Sequence, residues 1–455
     1  MGGGSLNVFS ARHLLVASLA LNASLLFRVY IGGFSPALDL LSLCSLSVSK
    51  GFEAAAPDAD AAASPAAVSV LASSSKTAEH RLVDHGRIIN LDHGDPTMYE
   101  KFWQGTGDRA TIVIPGWQST SYFSDPGNLC WFLEPELGRQ IVRLHGIVGN
   151  AVTDGRHIVV GTGSTQLFLA VLYALCPQNV TDPVSVVSMA PFYSSYPTTT
   201  DCLRSGLYRW AGDAASFDGG DGPFVELVTS PNNPDGFLRD PVVNRSGGVL
   251  VHDFAYYWPQ YTAMTSPPAD HDITLFTVSK STGHAGIRIG WALVKDADVA
   301  RKMTKFIELN SIGVSKDSQL RAAKIMKVVS DAEEEGSNQG DAPPAAAHSL
   351  FEFGFENMEE RWRLLREAVK QSGLFSLPDY PAQFCNFNRR SFGNQPAFAW
   401  LKCEGEIEDC EGFFREKKIL TRSGVHFGDS PKYVRISMLD RDDNYLAFIK
   451  RLRSL

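Results

Sequence analysis

An α/β fold is what this chain predicts, on three observations. Short apolar, β-branched runs recur along it, with helical or loop stretches between them. Turn-forming Gly, Pro, Asn and Asp residues follow several of these runs directly. A long amphipathic stretch and further strand-like runs near the C-terminus add a smaller α+β lobe. At 455 residues the chain exceeds one ordinary domain, so two packed lobes with extras are expected.

The N-terminal 50 residues differ in kind. Residues 14–27 are apolar apart from Asn22 and serines, Arg28 interrupts, and residues 29–48 are apolar again apart from Asp39 and small hydroxyls. A membrane helix needs about 20 apolar residues, a length that 14–34 reaches if Arg28 snorkels. The leader (1–50) therefore reads as an uncleaved signal-anchor, as a cleaved signal or organelle-targeting peptide, or as the soluble start of a cytoplasmic protein. Arg12 ahead of it favours a cytosolic N-terminus, which puts the body in a lumen and the protein on the endoplasmic reticulum or another secretory membrane. Asn22, Asn179 and Asn244 begin N-x-S/T sequons, which matter only in such a compartment. An Ala/Ser/Pro-rich linker (51–85) follows.

In the body, strand-like runs occupy 157–160, 184–189, 224–229, 248–252 and 272–278, and a Gly-rich turn (161–165) leads into an apolar helix (166–175). Residues 331–348 are acidic, then Pro/Ala-rich. They can bury little and are expected as a mobile surface insertion. Residues 349–372 carry Arg and Glu on one face of a long amphipathic helix, and 397–401 and 433–438 are strands of the smaller lobe.

A hydrophobic content of 44% supplies a real core, and a net charge of −8 argues against nucleic-acid binding. The seven cysteines are scattered without a CxxC pair, which excludes a disulfide-stapled mini-domain and gives no zinc signature. Cys403 and Cys410 are close enough for a bridge, but their spacing does not demand one.

The chemistry concentrates after the run 272–278. Lys280 sits there among Thr277, Ser279, Ser281 and Thr282, and Arg288 follows eight residues later. Burial at the end of such a strand disfavours the ammonium and lowers its pKa, which suits Schiff-base chemistry. The hydroxyls and the arginine are what a phosphate needs. A phosphorylated carbonyl cofactor meets both demands, and pyridoxal 5′-phosphate (PLP) is one.

Three further segments allow two readings each. The turn Gly161-Thr162-Gly163-Ser164-Thr165 is a phosphate cradle at a helix N-terminus or a plain strand–helix turn. Ser230-Pro231-Asn232-Asn233-Pro234-Asp235-Gly236 aims an Asn amide at a ligand or only makes a tight turn. Asp253, with Tyr256 three residues on, partners a pyridinium N–H or caps the next helix. Each follows a strand, so together they emerge at one carboxyl edge, where α/β ligands bind.

In this combination the chain resembles the fold-type I PLP-dependent transferases of the aspartate-aminotransferase type, and within them the plant alliinase and tryptophan-aminotransferase-related family. The resemblance rests on residues 90–99, 161–166, 190–193, 230–236, 253–259 and 277–291, and extends from about residue 87 to the C-terminus. It implies a large PLP-binding domain with a mostly parallel central sheet (119–314) and a smaller α+β domain (86–118 with 315–455).

The site residues it implies are as follows. Lys280 holds PLP covalently and moves the substrate proton. Asp253 keeps the ring nitrogen protonated. Asn233 and Tyr256 bond the phenolic oxygen. Ser164, Thr165, Thr277, Ser279 and Arg288 surround the phosphate, and Tyr193 stacks on the ring. Tyr99 reaches the phosphate of a neighbouring subunit, which implies a homodimer. Arg435 clamps the substrate carboxylate, with a surface arginine as the plainer alternative. Gly116 and Trp117 lie where a lid over the substrate would pass, unless Trp117 is a core residue.

Two activities share this resemblance: transfer of the amino group of tryptophan to a keto acid such as pyruvate, and Cβ–S cleavage of cysteine sulfoxides. Alliinases typically carry a cysteine-rich segment ahead of the PLP body, whereas here only Cys44 precedes Cys130. The aminotransferase is therefore the expectation and the lyase the alternative. A binding protein that has lost catalysis is disfavoured by the intact set Lys280, Asp253 and Arg435.

Overall fold

The structure, a computed structural model, describes residues 86–177, 182–220, 222–243, 245–338 and 349–455. The leader, the linker and the three sequon asparagines lie outside the described residues.

The chain enters through β1 (Ile89–Asn90), which pairs in parallel with residues 419–420 near the C-terminus. The apolar runs then build the central sheet. Its strands are β2 (His157–Gly161), β3 (Val184–Ser188), β4 (Tyr208–Asp213), β5 (Phe224–Thr229), β6 (Gly248–Asp253), β7 (Ile273–Thr277) and β8 (Gly290–Val294). They lie in the order β2-β8-β7-β6-β5-β3-β4. Every neighbouring pair is parallel except those of β8, which runs antiparallel to both β7 and β2. β3, β5, β7 and β8 are buried along their whole length, which explains why they read as continuous apolar runs and not as alternating ones.

The five strands expected from the sequence are β2, β3, β5, β6 and β7. β4 escaped notice because it is an edge strand with Arg209 and Gly212 in it and only partial burial. β8 was absorbed into the lysine segment that precedes it. Because β2, β3, β5, β6 and β7 point one way, the segments that follow them gather at one edge. β8 starts at that same edge, with Arg288 just ahead of it.

The C-terminal part is α+β. β9 (Phe375–Ser376), β10 (Gln383–Cys385), β11 (Arg390–Phe392), β12 (Phe398–Cys403), β13 (Ile419–Leu420), β14 (Arg422–Ser423) and β15 (Tyr433–Ser437) are its strands. An antiparallel sheet runs β14-β15-β12-β9, β10 and β11 form a hairpin, and β13 receives β1. The helix Leu350–Ser372 begins where the Ser349 hydroxyl accepts the Glu352 N–H at 3.1 Å and ends at Gly373 in the left-handed region. Met98 N–H donates to Leu439 O at 2.8 Å, a second tie between the N-terminal segment and this part. Cys403 and Cys410 are disulfide-bonded, joining the end of β12 to the helix Cys410–Glu416.

One expectation is corrected. The acidic start of 331–348 is not a mobile insertion: the helix Lys316–Asn338 continues through it. Its carboxylates meet cations at helical spacing. Arg143 pairs with Asp331 at 2.7 Å and with Glu334 at 2.8 Å, and Lys327 pairs with Asp331. Glu333 accepts the Ser349 hydroxyl. Residues 339–348 lie outside the described residues.

The helix Gly163–Leu175 is pressed onto β8 at Gly290. A Cβ there would lie 2.8 Å from Ser164 N and 2.9 Å from Phe276 O, both backbone atoms that cannot swing away. Gly290→Ala is expected to cost about 1–3 kcal/mol, as other overpacked sites do. A lowered denaturant midpoint at unchanged m-value would register it.

Candidate active site

At the shared strand edge lies a cavity of about 180 Å³. Ser164, Thr165, Tyr193, Asn233, Asp253, Tyr256, Thr277, Ser279, Lys280 and Arg288 all line it, joined by Thr229, Ala255 and Ala285. Ten residues expected from five separate segments thus meet in one place.

One end of the cavity suits an anion. The helix Gly163–Leu175 opens with Ser164 and Thr165, and no side chain caps it, so its first N–H groups are available to a ligand. Gly163 has φ +76°, and a Cβ on it would collide with Arg288 Nη2, so only glycine admits the guanidinium here. Arg288 is held by a 2.8 Å bond to Ala285 O and makes no ion pair among the described residues. Thr277 accepts the Ser279 N–H at 3.2 Å and donates to Ile289 O at 3.0 Å, which fixes the turn into the short helix Val278–Ser281.

Lys280 lies in that helix. Its amine donates to Gly94 O and sits 5.6 Å from the centre of the Tyr256 ring. Burial, then the charge of Arg435, lowers its pKa to about 8, against the opposing pull of Asp95. The backbone around it is clamped: Tyr261 donates to Lys280 O at 3.3 Å, Gln260 to Ser281 O at 3.1 Å, and Trp103 to Thr282 O at 2.8 Å.

Asp253 ends β6, half-buried and facing the cavity. It accepts the Ala255 N–H at 3.1 Å and the Tyr196 hydroxyl at 2.9 Å. Burial raises its pKa, and these two bonds oppose the rise. A carboxylate with only neutral donors is completed by a ligand N–H that can carry positive charge.

Arg435, on β15, is 3% exposed. It donates to Asn233 Oδ1 at 3.1 Å and to Asp92 O at 2.6 Å, and its Nε has no partner. Its guanidinium carbon stands 4.1 Å from the centre of the Phe398 ring and 5.2 Å from that of Phe427. Burial pushes its pKa down to about 10. Arg422, its cross-strand neighbour, is already neutralised by a two-pronged bond to Asp92 at 2.6 and 3.2 Å. Among the described residues Arg435 has no such anion, which is the state of a cation awaiting a ligand carboxylate. It is not a surface arginine. Because Arg435 takes the amide oxygen of Asn233, the NH2 of Asn233 is left as the donor toward a ligand oxygen.

Three expected residues fall elsewhere. Tyr99 is 1% exposed, and its hydroxyl lies 3.2 Å from that of Tyr261, beneath the lysine segment. Within its own chain it is enclosed. It also borders a separate, larger cleft with Trp103, His284 and Arg441. Gly116 and Trp117 form a short 3-10 turn outside the cavity, and Trp117 is 74% exposed, so it is neither a core residue nor a lid within this chain. Sequence reasoning missed Gly94, Thr229 and Tyr196. Tyr196 lies three residues after Tyr193 and opens a helix, a spacing that could have flagged it.

The donor set fits PLP: a cavity-facing amine of lowered pKa for the aldehyde, a half-buried carboxylate for the ring nitrogen, and a helix start with hydroxyls and Arg288 for the phosphate. Fold and site together define a fold-type I PLP-dependent enzyme of the aminotransferase type. Solved structures carry the same fold at low identity. Aspartate aminotransferase from Thermotoga maritima superposes with TM-score 0.55 at 18% identity, covering 81% of this chain and 92% of that one. N-succinyldiaminopimelate aminotransferase from Mycobacterium tuberculosis gives 0.56 at 17%, covering 81% and 93%.

The chain belongs to the alliinase family, whose model (Alliinase_C, "Allinase") matches residues 89–455. Tryptophan aminotransferase-related protein 2 of Arabidopsis thaliana is 56% identical over 98% of this chain and 97% of its own length. The protein of that name from Oryza sativa subsp. japonica is 61% identical over 81% of this chain and 73% of its own. Alliin lyase of Allium cepa var. aggregatum is 37% identical over 79% and 80%.

Only a neutral amine attacks an aldehyde. With its pKa lowered from 10.5 to about 8, Lys280 should incorporate PLP into apoprotein at a rate that rises with pH and levels off above about 8.5. Growth of the visible absorption band measures this. A rate still climbing at about pH 10 would show an ordinary amine. Lys280→Ala should leave no covalent band.

Proposed function

We propose that this enzyme moves the amino group of an aromatic amino acid, L-tryptophan foremost, to a keto acid such as pyruvate, giving indole-3-pyruvate for auxin synthesis. The observation that carries the reading is graded similarity. Identity is 56% and 61% to proteins named tryptophan aminotransferase-related protein 2, against 37% and 36% to proteins 3 and 4 of that series and 37% to alliin lyases.

The residues divide the work. PLP, when bound, withdraws electrons from the substrate Cα. Lys280, its amine lowered to a pKa of about 8, would take the substrate Cα proton and pass it back toward the cofactor. Asp253 would hold positive charge at the ring nitrogen and so favour the withdrawal. Arg435 fixes the α-carboxylate of donor and acceptor alike, which aligns the Cα–H with Lys280. The same first step serves β-elimination, so alliinase-type cleavage of S-alkyl cysteine sulfoxides is the second reading, and the 37% relatives favour it.

A homodimer fits the exposed apolar arm that carries Val113, Trp117, Tyr122 and Phe123, at 86, 74, 70 and 54% exposure. Anchoring on a secretory membrane with the body in the lumen fits the apolar leader, and the Cys403–Cys410 disulfide suits an oxidising compartment. Among the described residues no helix is long and apolar enough to cross a membrane.

Tryptophan with pyruvate should yield indole-3-pyruvate and alanine. An alkyl cysteine sulfoxide offered alone should yield no pyruvate, and cleavage without amino transfer would reverse the assignment. Arg435→Lys should raise KM for both amino acid and keto acid by about 10–100-fold, the loss of one charge-assisted fork, with the bound-cofactor spectrum retained. Carbonate-resistant sedimentation of the full chain, with the body protected from added protease in sealed vesicles, should mark the anchor.

A further inference from the structure

A buried chain of hydroxyls runs into the cofactor cavity from behind. Thr229 ends β5, Asp253 ends β6, and the two are register partners in adjacent parallel strands. Tyr196 opens the helix Tyr196–Asp201 and is 4% exposed. Its hydroxyl lies 2.7 Å from Thr229 Oγ1 and 2.9 Å from Asp253 Oδ2.

Proton counting fixes the direction. A carboxylate only accepts, and a phenol has one proton, so Tyr196 donates to Asp253 and Thr229 donates to Tyr196. Burial and the Asp253 charge hold the phenol well above its usual pKa, so it remains a donor at any working pH. The ring is held by Phe168 at 5.3 Å and stands edge-on to Tyr193 at 5.3 Å. Tyr193, Tyr256, Lys280 and Arg288 share the cavity with Asp253, yet none of them bonds it among the described contacts. Burial works against its charge, and apart from Ala255 N–H the phenol is the one donor that opposes it.

We propose that Tyr196, backed by Thr229, is a positioning residue that keeps Asp253 charged and aimed, and thereby sets how firmly the ring nitrogen of PLP is held protonated. The proposal rests on PLP as cofactor and is independent of which amino acid is the substrate.

The test reads PLP binding to full-length apoprotein and the absorption of the bound cofactor, with no amino acid present. Failure of the tryptophan reading therefore cannot be confused with failure here. Tyr196→Phe keeps the ring and removes the donor. It should weaken PLP binding about tenfold, the size of a hydrogen bond to a charged group. It should also move the acid-side spectral change to higher pH, because Asp253 then protonates more readily. Thr229→Val should shift both readouts the same way by less, and serves if Tyr196→Phe folds poorly. In an Asp253→Asn background Tyr196→Phe should cost nothing further. Equal losses in both backgrounds would mean that Tyr196 acts through packing alone and would overturn the proposal. So would an unchanged affinity and spectrum in Tyr196→Phe.

Discussion

Three ionisable groups meet at one sheet edge, Arg435 buried and Lys280 and Asp253 half-buried, with no ion-pair partner among the described residues. Everything around the site answers that constraint. A charge without water needs dipoles, and the fold supplies neutral ones: Gly94 O for the amine, Tyr196 and Ala255 N–H for the carboxylate, Asn233 and Asp92 O for the guanidinium. These offset part of the desolvation and leave the rest to be met by a ligand. An aldehyde, a ring nitrogen and a carboxylate complete the three groups in turn. The contrast with Arg422 is instructive, since its charge is quenched by Asp92 and it offers nothing to a substrate.

The frame that holds these groups is stiff where it must be. Parallel strands deliver the turn at 161–165, Asp253 and Lys280 to one edge, and the single reversed strand β8 brings Arg288 back to the phosphate end. Gly290 allows the helix Gly163–Leu175 to rest on β8 backbone, so helix start and arginine cannot drift apart. The N-terminal segment then closes the site from the other side, with the carbonyls of Asp92 and Gly94 reaching Arg435 and Lys280. A strand pairing of only two residues, β1 with β13, together with the Met98–Leu439 bond, ties that segment to the C-terminal part.

Much of this was legible along the chain. Lys280, Asp253, Arg288 and the turn residues follow strands whose apolar runs are unmistakable, so their common edge could be derived. What the chain concealed has physical reasons. Tyr196 is polar at one atom only, and its role depends on where Asp253 lies, 57 residues away. Gly94 and Asp92 act through backbone carbonyls, which no side-chain pattern reports. The acidic run at 331–338 looked unable to order itself because its partner Arg143 belongs to a distant helix. The Tyr99 hydroxyl meets that of Tyr261, 162 residues further on, a contact that no local pattern reports.

By itself, then, the sequence determined the strand–turn–helix grammar, the lysine with its phosphate-binding neighbours, and the PLP family, because those depend on local pattern and residue chemistry. Tertiary structure alone decided which groups stay unpaired. Whether an arginine is neutralised, as Arg422 is, or left waiting, as Arg435 is, depends on which residues from distant segments fold against it. The same holds for the lowered pKa of Lys280 and the donor chain behind Asp253. Both arise from burial and long-range contact, which no single stretch of the chain encodes.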